Sequence, residues 1–134
     1  LNIPITYSGT SVPGFRHWMI QMAIVYAVRK SIPKGCKVSI GTELEIKEQN
    51  NIYKIDVIVK YYKPGMPPKR VLYEVQNNVN VRSFREKMSI LECDNAEIVP
   101  LKKAPDTIDE IETWIQDYII IPNMRIKKRN GGII

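Results

Sequence analysis

Two acidic side chains stand where an acid is costly: Asp56 inside the run IYKIDVIVKYY (52–62), and Glu74 inside RVLYEVQ (70–76). Both runs are rich in β-branched and aromatic residues and read as strands, so each carboxylate needs a compensating partner. Two such acids on neighbouring strands repel one another, and a bound divalent cation is the simplest agent that holds both. Glu74 and Gln76 are two apart and emerge on one face, with Tyr73 and Val75 on the other. Asp56, Glu74 and the main-chain carbonyl of Val75 form an open, oxygen-rich set suited to Mg²⁺ or Mn²⁺. A cation held there lowers the pKa of a bound water and polarises a phosphate, which is metal-dependent phosphodiester chemistry. Glu45, or less directly Glu43, comes from the preceding strand and completes the shell or holds an outer water.

The segments that must position these groups follow from spacing. Residues 1–13 read as an extended lead-in. Pro13-Gly14 opens a helix running to about residue 31, where Pro33 and Gly35 stop it. Its expected apolar face is Trp18, Met22, Val25, Ala27 and Val28, with His17 and Gln21 four apart on a common face. Residues 37–47 alternate, Val38, Ile40, Thr42, Leu44 and Ile46 pointing one way and Glu43, Glu45 and Lys47 the other. Gln49-Asn50-Asn51 turns the chain into the Asp56 strand, and a Pro/Gly loop at 63–68 turns it into the Glu74 strand, giving an antiparallel meander. Asn80 caps a helix expected over residues 81–93, followed by a short strand at 96–101 with Pro100 at its end. Asp106 and Thr107 cap a last helix whose apolar residues are Ile108, Ile111, Trp114, Ile115 and Tyr118; these and Trp18 are expected in the core. The fold class is α/β: an α-β-β-β-α-β core with a mixed four-stranded sheet flanked by helices.

At 134 residues the chain reads as one domain, 1–134, able to bury a core without disulfides. The net charge of +6 favours a polyanionic partner. Part of that charge is the cluster Arg125, Lys127, Lys128 and Arg129 in a basic tail over about 123–134, which reads equally as a phosphate-gripping arm or a solvated end. Cys36 and Cys93 lack metal-ligand spacing and read as reduced structural thiols, and a single histidine, His17, argues against a histidine-rich zinc site. No secretory signal is readable, and the apolar stretch at 15–28 is too short for a membrane span, so an intracellular protein with no membrane partner is expected. Glycine-rich phosphate loops, Cys/His nucleophile pairs and serine triads are absent from the sequence, which removes kinase, NTPase, protease and esterase readings.

Glu45, Asp56 and Glu74-x-Gln76, in an α-β-β-β-α-β order over about residues 15–101, resemble the PD-(D/E)XK nuclease superfamily. The resemblance implies a restriction-endonuclease-like fold, Asp56 and Glu74 as ligands of Mg²⁺ or Mn²⁺, and a metal-activated water that cuts a phosphodiester bond. It implies double-stranded DNA as partner and makes a homodimer an expectation. The first helix, which in the family often supplies a further acid, has none between residues 15 and 31, so Glu45 or Glu43 substitutes, or His17 and Gln21 serve as polar outer groups. Gln76 stands where the family has lysine. It orients water by hydrogen bonds, and the missing charge is expected from Lys54 or Lys60, or from Arg82 or Arg85 on the following helix. Lys60, Lys63, Lys69, Arg70, Arg82 and Arg85 are the expected phosphate contacts, with Tyr61, Tyr62 and Lys87 nearby. The Lys63–Pro68 loop reads as a groove-reaching element or a solubilising turn. Three alternatives remain: a non-catalytic nucleic-acid-binding protein that keeps the fold, a structural protein whose charge serves assembly, and a pair of strand-end acids on a solvated face neutralised by Lys54, Lys60 or Arg70.

Overall fold

In a computed structural model residues 14–117 are described, and they form a four-stranded mixed sheet with three α-helices. Helix α1 spans Phe15–Lys30, strands β1, β2 and β3 span Lys37–Glu48, Asn51–Tyr62 and Lys69–Gln76, helix α2 spans Val81–Ile90, strand β4 spans Asn95–Pro100, and helix α3 spans Ile108–Ile115. The sheet order is β1-β2-β3-β4, antiparallel except for the parallel β3–β4 pair that α2 bridges. The lead-in, Tyr118 and the basic tail lie outside the described residues.

Local chemistry accounts for the helix boundaries. Asn80 Oδ1 accepts the Ser83 N–H at 3.1 Å, and Thr107 Oγ1 accepts the Glu110 N–H at 3.3 Å while its hydroxyl donates to Glu110 Oε1 at 2.7 Å. Helix α2 ends at Ile90, three residues short of the expected end, because Glu92 adopts a left-handed φ of 52° and its N–H closes on Ser89. The guanidinium of Arg16 binds the carbonyls of Ala104 and Pro105 and lies 3.7 Å from Asp106, tying the start of α1 to the approach to α3.

The core has two layers. On one side Ile20, Ile24, Ala27 and Val28 of α1 and Ile111 and Ile115 of α3 pack on Val57, Val59, Tyr61, Val71, Tyr73, Val75 and Val99. On the other, Phe84 of α2 covers Ile55, Ile58 and Leu72 with Ile46 and Tyr53. Two expectations fail here. Trp18 is 48 % exposed, because the buried stripe of α1 runs through Ile20, Gln21, Ile24, Ala27 and Val28: the expected Ala27 and Val28 lie in it, but towards the start of the helix it passes to one side of Trp18 and Met22. Trp114 is half-buried against the core.

The alternation expected along β1 also breaks. Val38 and Ile40 pack on the α1 side, Ile46 packs on the α2 side, and Leu44 between them is 41 % exposed. The switch occurs at Glu43, whose φ is 50°. Pairing with β2 runs through Thr42–Val57 and resumes in unchanged register at Leu44–Ile55, omitting only the rung of Glu43 and Asp56. Strand β2 changes sides at the same place: Val57 belongs to the α1-side core and Ile55 to the α2-side core. The distal hairpin is therefore rotated about that rung.

A left-handed non-glycine residue inside a strand costs about 1–2 kcal/mol. Glu43→Gly is expected to hold or raise stability, the relieved strain offsetting the ~0.5–1 kcal/mol entropic cost of glycine, whereas Glu45→Gly in the same strand should lose that cost in full. Urea unfolding of the two variants checks this; equal losses would show that position 43 is unstrained.

Candidate active site

Asp56 lies at the lapse in pairing. One step beyond the last β2–β3 rung, Val57 with Tyr73, come Asp56 and Glu74, which face each other without a ladder pair. Other groups supply hydrogen bonds where the ladder stops. Asp56 Oδ2 accepts the Val75 N–H at 2.8 Å, and the Asp56 carbonyl accepts Gln21 Nε2 at 3.1 Å. His17 Nε2 lies 3.3 Å from Asp56 Oδ1. Helix α1 thus holds Asp56 through two residues one turn apart.

Glu74 faces the opposite helix. It is 2 % exposed, and its Oε1 lies 3.3 Å from Lys87 Nζ of α2. That contact has ion-pair distance without hydrogen-bond alignment, so Oε1 has no directed partner. Gln21, fully buried, likewise leaves its Oε1 unpartnered. A pair of strand-end acids on a solvated face neutralised by Lys54, Lys60 or Arg70 is therefore not what the chain builds: the acid in β3 is buried and its cation is Lys87.

The two carboxyls titrate as a pair. Burial drives Glu74 up, the neighbouring Asp56 adds to this, and Lys87 only partly opposes it, so Glu74 reaches about 8. Burial also pushes Asp56 up, but hydrogen bonds from His17, with Glu74 and from Val75 N–H outweigh it and leave Asp56 below the ordinary carboxylate value. The hydrogen bond to Asp56 raises His17 against the opposing effect of burial. Near neutrality, without a cation, the pair holds one proton, on Glu74.

The unpartnered Oε1 of buried Glu74 and the proton held by that acid beside Asp56 fit a divalent ion. Among the described residues no group of three or more His, Cys, Asp and Glu side chains is placed to hold a metal, so an ion here takes two carboxylates and neutral oxygens, a set Mg²⁺ accepts. The Val75 carbonyl leaves the same strand edge as the N–H that binds Asp56, and so is directed to that side.

The other expected residues fall differently. Gln76 Oε1 accepts the Asn80 N–H at 2.8 Å, so this side chain anchors the start of α2. Glu45 stands opposite Lys54, one rung beyond Leu44–Ile55, while Glu43 stands opposite Asp56; both glutamates line a cleft with His17 and Asp56. The Lys63–Pro68 loop does not surround the acids. Arg70 is four residues, about 13 Å along the strand, from Glu74, and Lys60, Lys63 and Lys69 lie at that same far end of the sheet. Arg70 is also committed locally, its guanidinium 3.5 Å from Glu92 and its N–H bound to Asp94 Oδ2. Arg82 lies 3.5 Å from Glu86 and Arg85 is exposed, and neither is placed beside Glu74. The α2 cation beside Glu74 is Lys87, and its spacing with Phe84 and Leu91, three and four residues away, is the available signal that it sits on the inward face of α2.

Set against protein-family models, curated proteins and solved structures, the chain matches none. No helix among the described residues is long and apolar enough to cross a membrane.

A carboxyl raised on folding stabilises the fold below its unfolded pKa and loses that contribution as pH rises through the folded one. For Glu74 the window runs from about 4.5 to about 8. In EDTA, Glu74→Gln should therefore flatten the fall in melting temperature between pH 5 and pH 8.5. An unchanged pH profile would place the Glu74 proton elsewhere.

Proposed function

We propose that this chain is a divalent-metal-dependent nuclease of restriction-endonuclease-like architecture that hydrolyses phosphodiester bonds in DNA. The observation that carries the reading is the pairing of buried Glu74 with half-buried Asp56 at a break in the sheet, with the Lys87 ammonium 3.3 Å from Glu74. The lysine that the resembling family places two residues after the glutamate is here replaced by one arriving from α2. An Mg²⁺ or Mn²⁺ ion bound by Asp56, Glu74 and the Val75 carbonyl would supply Lewis-acid activation of water and phosphate.

The protein's own groups do the rest. His17 and the Val75 N–H fix both oxygens of Asp56, so the carboxylate needs little reorganisation to serve as a ligand. Lys87 brings positive charge to the side on which a phosphate gains negative charge as water adds to phosphorus and the bond to the leaving sugar oxygen breaks. Gln76 stays with the α2 N-terminus and contributes position rather than charge.

The test is cleavage of linear and circular DNA in Mg²⁺, Mn²⁺ or EDTA. Metal-dependent cutting is expected from the wild type and none from Glu74→Ala, while Lys87→Ala should fall about 10²–10³-fold with DNA retention in a gel shift preserved. Cutting that survives Glu74→Ala overturns this assignment of the site; DNA retention without cutting favours a binding protein that keeps the fold.

A further inference from the structure

Rotation of the distal hairpin about the Glu43–Asp56 rung opens a cleft of about 450 Å³ beside the acid pair. It is lined by His17 of α1, by Glu43, Leu44 and Glu45 of β1, and by Lys54, Ile55 and Asp56 of β2. The volume lies in the roughly 300–1,000 Å³ range of small-molecule sites.

The lining selects its occupant by charge. Three carboxylates face one ammonium and one imidazole, so a second phosphate is repelled from the cleft. Neither Glu43 nor Glu45 forms an ion pair with any described residue, but Glu45 has the cationic Lys54 across its rung whereas Glu43 stands across from Asp56, with no cation opposite it. Leu44 supplies an apolar wall, 41 % exposed in mid-strand. Glu43 is held at a left-handed φ of 50°, and strain of this kind persists where the surroundings impose it, often at ligand sites. An apolar wall with an acceptor-only carboxylate and a field hostile to anions suits a neutral, flat heterocycle that presents N–H donors.

We propose that this cleft binds an unpaired nucleobase through its donor edge, Glu43 being the group that reads it. Guanine fits first, because its N1–H and N2–H₂ can meet one carboxylate bidentately; cytosine and adenine offer a single amino group, and thymine only an imide N–H. The inference rests on the nuclease reading and names its substrate class: DNA in which the nucleotide beside the cut bond is single-stranded or flipped, since in a duplex that edge is occupied.

The test separates the two readings. Guanosine, cytidine, adenosine and thymidine carry no phosphate, and their binding is followed by NMR shift perturbation with EDTA present, independent of any cutting. Guanosine should bind best, with thymidine about tenfold or more weaker, and Glu43→Gln and Glu43→Gly should each weaken guanosine by about tenfold. Glu43→Gly suits the left-handed backbone and guards against a folding defect. Equal binding of all four nucleosides, no binding, or guanosine affinity unchanged in both variants overturns the proposal, whatever the cleavage result. Where cutting occurs, a duplex bearing one unpaired guanine should be cut faster than its fully paired counterpart; the reverse preference overturns the cleft reading and leaves the nuclease reading standing.

Discussion

The interaction on which the rest depends is the mutual repulsion of Asp56 and Glu74 in a nearly dry place. Two ionised carboxylates on adjacent strands, one of them 2 % exposed, would destabilise any ordinary sheet. The fold answers from both faces. Helix α1 brings His17 and Gln21 to Asp56, helix α2 brings Lys87 to Glu74, and the sheet itself gives the Val75 N–H. Each acid thus has its own helix, and the pair sits where those supports meet. The remaining imbalance is taken up by a proton on Glu74.

That division of labour explains the irregularities in the strands. A regular ladder through Glu43, Asp56 and Glu74 would spend the strand edges on one another. Instead the ladder lapses at Asp56 towards both neighbours, which frees the Val75 amide for the Asp56 carboxylate and turns the distal hairpin through its left-handed residue. Beyond the turn the apolar side chains pack towards α2, and the side towards α1 carries Glu45 and Lys54 around an open cleft.

Much of this was legible in the sequence. The order of helices and strands, the Asn80 and Thr107 caps and the two acids follow from local spacing and residue type. What was not legible depended on packing. The inward stripe of α1 includes Gln21, a polar residue that pattern reading assigns outward, and excludes Trp18. The break in β1 gives no warning because the register is unchanged and the residue at the break is a glutamate, not a glycine. Lys87 looked like one more basic residue on a basic helix; only the docking of Phe84 and Leu91 against the sheet turns it inwards. The basic hairpin is near Glu74 in sequence but not in space, because the β3 strand between them carries it to the other end of the sheet.

The distribution of these contacts along the chain has a consequence for how the molecule is made. The β1–β2 hairpin closes through a short turn and brings Asp56 into place early, at small loss of chain entropy. The groups that make Asp56 useful are distant in sequence: Gln21 lies 35 residues before it and Val75 19 after it. The parallel β3–β4 pairing that fixes Glu74 must wait for α2 to cross over. A growing or partly folded chain therefore displays its acids before their partners from α1, α2 and β3 are in place.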